Sequence, residues 1–496
     1  MSLHRPTMMQ RLRDGGTWDV CVIGGGATGL GIAFEAASSG LDTLLIERAD
    51  FAKGTSSRST KLLHGGVRYL QQGRIGLVKE ALLERDRILQ NAEGHVQAQS
   101  FVIPVKQRWK QLYYGTGLLL YDLLAGKRRW GRTTWVSKRE MEHLFPTLRE
   151  AGMVGGLRYS DGKFDDVGLA LSIAKAAARQ GAALLNHCNA VGFHKKDGRI
   201  DAVEVEDGLT GNRHRVEARV VVNACGPFSD AVNRLDDDGH RDRIRPSQGI
   251  HLVFDRNILP GKDAVLIPKT DDGRVLFAVP WLGKVLVGTT DTALEKVVAE
   301  PVALQQEIDF VIDHANRHLG LSLGPDDVRS VFAGLRPLVK GGGGATSDLS
   351  RSHQIERADS GLISVRGGKW TTYRKMAEDT LAFIQRRCEL DFTPANTADS
   401  PIVQGLVHDR STLPDADADL EAAVREAVET EMCVTVEDFL ARRYRILLLD
   451  ARQAIRRAET VATALANVQG FDGAWAEEQT RNFKQLAAQY LPANTL

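Results

Sequence analysis

Cysteine is scarce in this chain: Cys21, Cys188, Cys225, Cys388 and Cys433 are odd in number and scattered. None has the short spacing of a thiolate metal site, and an odd count excludes a fully paired disulfide framework. They read as reduced core residues, and no metal centre is expected. Excess charge of one sign is also lacking, since 64 Lys and Arg nearly balance 63 Asp and Glu, for a net charge of +1. Such a chain carries no overall electrostatic footprint for nucleic acid. No uninterrupted apolar run reaches the roughly 20 residues of a membrane-spanning helix. Met1 to Thr17 is polar and basic, without the apolar centre of an export signal, so a cytoplasmic location is expected. With 496 residues, 43% of them hydrophobic, the chain can fill two or three cores.

What is present starts at Asp19. Asp19 to Ile23 is a short apolar run of the kind required by a strand covered on both faces. It opens directly on Gly24-Gly25-Gly26-Ala27-Thr28-Gly29, a G-x-G-x-x-G turn. Leu30 to Ser39 has the small and apolar residues of a helix packed on a sheet, and Gly40 stops it. Asp42 to Glu47 reads as a second strand ending in an acid. In such a unit Gly24 permits the tight turn, Gly26 lets backbone approach a pyrophosphate, and Gly29 lets helix and strand touch. The helix N-terminus offers N–H groups to phosphates. Glu47, 18 residues beyond Gly29, stands where a carboxylate receives ribose hydroxyls. Dinucleotide binding is predicted.

Thr55 to Leu70 mixes hydroxyls, glycines and cations with Leu62, Leu63, Val67 and Leu70, a composition suited to wrapping a polyanionic or heterocyclic ligand. Val78 to Ala92 is predicted to be a helix with Glu80, Glu84, Arg85 and Arg87 on its wet side. Val220-Val221-Val222 is a buried strand that stops at Asn223-Ala224-Cys225-Gly226, where an α/β sheet exposes its carboxyl edge. Arg245 to Gly344 supplies strands, a helix at Pro301 to His318 and a loop of four glycines, Gly341 to Gly344. The strand Leu362 to Val365, then Gly367-Gly368, then a helix from Lys375 to Arg387, repeats the order of strand, glycines and helix. Glu389 to Asp419 is a linker. Leu420 to Met432, Val436 to Leu449, Arg452 to Asn467 and Ala474 to Leu491 read as four amphipathic helices. Gln111 to Gly126 admits two readings: apolar and too short to span, it is flanked by Lys106, Arg108, Trp109 and Lys110 and by Lys127, Arg128, Arg129 and Arg132. It fits a buried helix with solvated basic ends, or an element lying at a membrane surface.

Together these segments resemble the FAD-dependent glycerol-3-phosphate dehydrogenases of the respiratory type, within the glycine-oxidase-like flavoproteins. The resemblance runs from Asp19 to about Asp379 and again from Val424 to Asp450. Thr55 to Leu70, Gly288 to Asp291, Gly334 to Leu338 and Gly367 to Arg374 carry it most specifically. It implies a Rossmann-like α/β FAD-binding domain with an inserted α+β substrate domain, plus a small all-α C-terminal domain. In that division residues 17–390 form the oxidoreductase region. Its FAD-binding segments are about 17–100, 155–235 and 345–390, and its substrate segments about 101–154 and 236–344. Residues 391–419 are linker, and 420–496 the helical domain.

The resemblance also implies non-covalent FAD on Gly24, Gly26, Gly29 and Glu47, with Thr55, Ser56, Ser57, Lys61, Leu63, Gly65 and Gly66 around the flavin. Ala224, Gly226, Gly368, Lys369, Trp370 and Thr371 would close the other side. The phosphate of sn-glycerol 3-phosphate would rest on Arg68, Arg336 and Lys369, with Tyr69 and Arg351 close by. A phosphate dianion in a partly dry site needs several cations, and arginine forks suit it best. His251 is implied as the base that takes the hydroxyl proton while a hydride leaves for flavin N5, and Arg336 as support for the developing alkoxide. His64 is the second candidate base.

Electrons would pass to a quinone, with Lys106 to Arg132 docking peripherally on the inner face of the cell membrane. Two departures stand out. Ser247-Gln248-Gly249-Ile250 precedes His251, where many members of the family carry Lys-Gly or Arg-Gly, and the linker and C-terminal domain are short, which leaves a homodimer open. The same cations would serve another polyol phosphate, such as erythritol phosphate, or an oxidase that delivers electrons to oxygen. A non-catalytic FAD-binding sensor or assembly protein has no need of such a cluster, and an amino-acid oxidase would want a single arginine.

Overall fold

Trp18–Ile23 lies at the middle of a parallel sheet because five of its six side chains are buried, with helices on both faces. The computed structural model describes residues 3–70, 73–148, 152–339 and 353–493. The sheet runs, edge to edge, Gln354–Arg357, Ile363–Arg366, Arg213–Asn223, Trp18–Ile23, Thr43–Ile46 and Ala183–Leu185. All neighbours are parallel except the Gln354–Arg357 edge, and the register aligns Ile23 with Ile46 and Asn223. The carboxyl ends of the three central strands therefore stand side by side, the edge at which such sheets take ligands. The helix Ala27–Ser38 packs between Asp166–Arg179 and Tyr373–Arg387. The approach is close: a Cβ on Gly31 would lie 2.9 Å from the Tyr373 ring.

A second, mostly antiparallel sheet contains His251 and Arg336, the residues expected to face a substrate, and is named the substrate sheet for that reason. Its long strand Ile244–Asp255 pairs with Lys284–Gly288 on one edge and with Ser330–Val339 on the other, setting His251 opposite both Gly288 and Phe332. The sheet continues through Leu276–Trp281, Ala264–Ile267, Val96–Val105 and Gly155–Phe164 to Leu62–Leu63. Residues 62–63, 96–100 and 155–164, grouped by sequence with the FAD-binding segments, are thus strands of the substrate sheet. Long-range pairing across roughly a hundred residues leaves no local trace in the chain.

Two further elements differ from expectation. Glu84 and Arg85, expected on the wet side of a helix, are both buried in Ile75–Asn91, where each meets an opposite charge from a distant segment. Amphipathic patterning cannot tell a solvated charge from one paired in the core. The expected helix Val436 to Leu449 is split into a wide π turn, Asp438–Arg443, and a short helix, Ile446–Leu449. The other C-terminal helices are Asp417–Glu431, Ala451–Gln469 and Gly473–Ala488. Their core includes Val253, Leu286 and Phe332 of the substrate sheet, so the helical unit is packed on the main body.

Arg108–Ala125 is a surface helix. Gly115, Leu118, Tyr121 and Ala125 face inward, whereas Leu112, Leu119 and Leu123 are 64%, 53% and 76% exposed. The buried-helix reading of this stretch is thereby overturned. Among the described residues, no helix is long and apolar enough to cross a membrane.

Candidate active site

The glycine turn has no room for side chains. A Cβ on Gly29 would fall 1.9 Å from Gly24 O, and one on Gly24, whose φ is +112°, would fall 2.8 Å from Ala224 O. Glu47 is anchored at the same turn, its Oε2 accepting the Gly25 N–H at 2.7 Å and its Oε1 the Ala49 N–H at 2.9 Å. A carboxylate oxygen has capacity for more than one donor, so ribose hydroxyls can still be received. Helix Ala27–Ser38 starts from Gly26 with no capping side chain of its own. Side-chain-free backbone, a helix N-terminus and an oriented acid form a cradle that fits FAD.

The loop after Thr43–Ile46 folds over this cradle. Ser56 Oγ accepts the Ala27 N–H at 2.9 Å, and the Trp370 indole donates to Ser56 O at 2.9 Å, so Ser56 links the glycine turn to the segment 368–371. Thr55 Oγ1 donates to Leu335 O at 2.6 Å, tying the loop to the substrate sheet. Lys61 is fully buried, and its ammonium donates to Ser57 O at 2.6 Å and to Asp166 at 2.8 and 2.9 Å. All three of its donors are engaged within the protein, which makes Lys61 a brace of the loop. Burial lowers its pKa, and Asp166 works against that shift. Leu63 is buried in the substrate sheet.

Gly65 sits so close to Tyr121 that a Cβ would lie 2.3 Å from the hydroxyl, which accepts the Gly65 N–H at 2.9 Å. Tyr121 donates in turn to Asp161 at 2.9 Å, and Asp161 accepts from Arg85 at 2.8 Å. Sequence does not mark Tyr121, Asp161 and Arg85 as a group, because they meet through contacts spanning 40 and 76 residues. On the opposite side Gly368 has φ +81°, and a Cβ there would come within 2.3 Å of Met376 Sδ. Lys369 precedes the short turn Trp370–Thr372, within which Thr371 is buried. Ala224 and Gly226 flank Cys225 where Arg213–Asn223 ends.

His251 is buried in the substrate sheet with its ring stacked on Phe332, centroids 5.1 Å apart. Its Nε2 shares a hydrogen bond of 2.9 Å with Thr60 Oγ1, whereas Nδ1 is buried without a partner. Gly288 leaves space for the ring, since a Cβ there would lie 2.4 Å from His251 Cδ2. Burial, with Arg336 and Lys61 adding positive charge, holds the imidazole pKa well below 6.5. The ring is therefore neutral at physiological pH.

Arg336 is held within the sheet: Nη1 donates to Gln248 O at 3.3 Å and to Asp291 Oδ1 at 3.1 Å, and Nη2 to Thr289 Oγ1 at 3.2 Å and Thr290 O at 2.8 Å. The departure ahead of His251 has a structural counterpart here. The Ser247 hydroxyl donates to Asp291, and the Gln248 amide donates to Glu307 at 2.7 Å, so both uncharged residues brace the carboxylate network around Arg336. Thr290 and Thr292 complete that network on Glu307 at 2.8 and 2.6 Å. His64 is on the loop beside Gly65, outside this buried sheet position. Arg374, at the end of the Gly367 segment, is engaged by Glu84 and Glu378 at 2.6 to 2.8 Å and braces two helices. Arg351 and the loop Gly341 to Gly344 lie outside the described residues, as do the side chains of Arg68 and Tyr69.

Residues 19–374 match the family described as FAD dependent oxidoreductase, and residues 397–476 match the C-terminal domain of alpha-glycerophosphate oxidase. The mitochondrial glycerol-3-phosphate dehydrogenase of Rattus norvegicus is 40% identical over 79% of this chain and 56% of its own length, so the match spans little more than half of that protein. The mitochondrial glycerol-3-phosphate dehydrogenase SDP6 of Arabidopsis thaliana is 34% identical over 94% of this chain and 85% of its own length. Among solved structures, the glycerol-3-phosphate dehydrogenase of Bacillus halodurans complexed with FAD superimposes with a TM-score of 0.81 at 28% identity, covering 100% of this chain and 99% of that one. A dinucleotide cradle, a buried histidine beside a fixed arginine and these matches in both parts of the chain agree: it belongs to the FAD-dependent oxidoreductases and, among them, to the glycerol-3-phosphate dehydrogenase family.

Proposed function

We propose that the protein oxidises sn-glycerol 3-phosphate to dihydroxyacetone phosphate and passes the electrons to a quinone at the inner face of the cell membrane. The observation that carries the chemistry is His251, a neutral imidazole with one unpartnered nitrogen in a buried site beside Arg336. Bound FAD supplies the two-electron acceptor for the hydride. The chain's own part is to hold the secondary alcohol, take its proton and stabilise charge. Thr60 fixes the ring through Nε2, leaving Nδ1 as the nitrogen with capacity for the hydroxyl proton. Arg336, already immobilised, adds its positive charge where an alkoxide develops, without reorganising at the moment of reaction. Arg336, on the strand Ser330–Val339, and Lys369, which follows the strand Ile363–Arg366, are with Arg68 and Arg351 the candidate cations for the substrate phosphate.

The acceptor reading rests on the helix Arg108–Ala125, which turns leucines outward between Lys106 and Lys110 on one side and Lys127, Arg128 and Arg129 on the other. Such a surface suits the boundary between headgroups and acyl chains. The deciding experiment is anaerobic addition of sn-glycerol 3-phosphate to the yellow protein. Bleaching of the flavin bands by this substrate, and not by glycerol or lactate, supports the assignment, and a flavin that stays oxidised overturns it. Oxygen is the competing acceptor, favoured by the match of residues 397–476 to a domain named for alpha-glycerophosphate oxidase. Stoichiometric hydrogen peroxide in aerated turnover, with no acceleration by a quinone, would select it.

A further inference from the structure

Two arginines of the C-terminal unit, Arg442 and Arg443, reach across to the stretch 50–61 that wraps the glycine turn, and a third, Arg445, grips the start of the helix that holds the end of that stretch. That stretch is tied to the turn itself: the Ala52 N–H donates to Gly25 O at 2.9 Å, and Ser56 Oγ accepts the Ala27 N–H at 2.9 Å. At its first residue, fully buried Asp50 accepts from Arg442 Nε at 2.5 Å and from Arg443 at 2.5 and 3.0 Å. At its last, Lys61 is held by Asp166, and the adjacent Asp165 is gripped by Arg445, whose Nε donates at 3.0 Å and whose Nη2 makes a second, shorter contact. Asp165 also caps the helix Asp166–Arg179, accepting the Gly168 N–H at 3.1 Å, so the Arg445 grip fixes the helix start that presents Asp166 to Lys61.

The arginines are immobilised from their own side too. Arg443 donates to Glu431 O at 2.6 Å, and Arg442 to Glu437 and Asp438 at 2.8 Å each. A buried pair of this kind holds only while complete, because either partner alone is an uncompensated charge.

We propose that the C-terminal helical unit is a clamp on the cofactor loop, with Arg442, Arg443 and Arg445 as positioning residues that set FAD affinity through Asp50 and Asp165. A loop held in its bound shape loses less conformational freedom when the cofactor arrives, so the clamp tightens binding without a new contact. Coupling is reciprocal, so FAD must in turn steady the clamp. The inference rests on stretch 50–61 lying against bound FAD.

Hydrogen exchange on the wild-type protein, stripped of FAD and then saturated with it, tests both levels. Exchange in 50–61 and in 434–450 is expected to slow by roughly fivefold or more, while the outer helix Gly473–Ala488 is unchanged. Protection of 50–61 alone overturns the clamp, and so does uniform protection of the whole chain. A loop 50–61 that FAD leaves unprotected removes the cofactor-loop reading instead, and the clamp with it. In parallel, Arg445→Gln is expected to raise the FAD dissociation constant about tenfold and to shrink the rise in melting temperature given by saturating FAD, with Arg445→Lys partly restoring both. Equal loss of stability with and without FAD, at unchanged affinity, would make Arg445 merely structural and defeat the proposal. Should that variant fail to fold, the wild-type exchange decides alone.

Discussion

At the scale of the residue, the candidate site depends on which groups are held without a partner and which are fully engaged. His251 has one nitrogen on Thr60 and the other unsatisfied in a buried position, an arrangement suited to proton transfer. Replacing His251 by Asn is expected to lower kcat by about 10² to 10⁴ while the flavin spectrum and the KM change little, measured by steady-state turnover with a dye acceptor. The pH profile tests the same group. The folded-state pKa lies well below 6.5, so the proton-accepting form persists as pH falls from 7 through 6.5, and kcat/KM declines only as pH nears the depressed value. Stability has the same sign: below 6.5 the unfolded chain binds a proton that folded His251 refuses, so its contribution is present above 6.5 and is lost on acidification. An acid limb centred at or above pH 6.5 would assign catalysis to another group. Lys61, by contrast, is legible in sequence as part of a ligand-wrapping loop, yet its role as a brace on Asp166 depends on a residue 105 positions away.

At the scale of the element, the glycine turn is the segment most completely written into the chain. Strand, turn, helix and acid are all local features, and their periodicities survive folding intact. Gly29→Ala places a Cβ 1.9 Å from Gly24 O, so backbone must move. The variant is expected to purify without the yellow colour of bound flavin, checked by the absorbance ratio of the visible band to that at 280 nm, and full retention of FAD would contradict that close packing. The surface helix Arg108–Ala125 was ambiguous in sequence, because an apolar stripe with basic flanks satisfies either a core or a membrane boundary. Only the observed exposure of Leu112, Leu119 and Leu123 removes the first reading. Changing Lys127, Arg128 and Arg129 together to Glu is expected to release the protein from anionic vesicles, and unchanged co-sedimentation would defeat membrane docking by this surface. The C-terminal helix that breaks into a π turn was invisible to patterning, since its break places Arg442, Arg443 and Arg445 on partners elsewhere in the fold.

At the scale of the whole molecule, the helical C-terminal unit is joined to the rest by apolar packing and by buried charge at once. Val253, Leu286 and Phe332 share its core, and Phe332 is the ring on which His251 stacks. Lys53 meets Glu437 at 2.7 Å, and Arg58, bonded to Glu300 at 2.6 Å, shares that carboxylate with the Tyr490 hydroxyl at 2.7 Å. Interfaces between independent domains are more polar and looser than this. Calorimetry of the holoprotein is therefore expected to give one cooperative unfolding transition, and two transitions separable by denaturant would contradict a shared core.

The sequence by itself determined the dinucleotide unit, the helical C-terminal end and the family, because each rests on local periodicity or on contiguous motifs. Tertiary structure alone decided which strands leave the FAD-binding segments for the substrate sheet, that Glu84 and Arg85 are buried, and that Tyr121 and Asp161 brace Gly65. It also decided that Arg442 and Arg443, near the end of the chain, hold a loop near its beginning at Asp50, while Arg445 holds Asp165 at the helix start behind it. These are pairings of charge and hydrogen bond across tens to hundreds of residues, and a charged side chain carries no local mark of the partner that folding will bring to it.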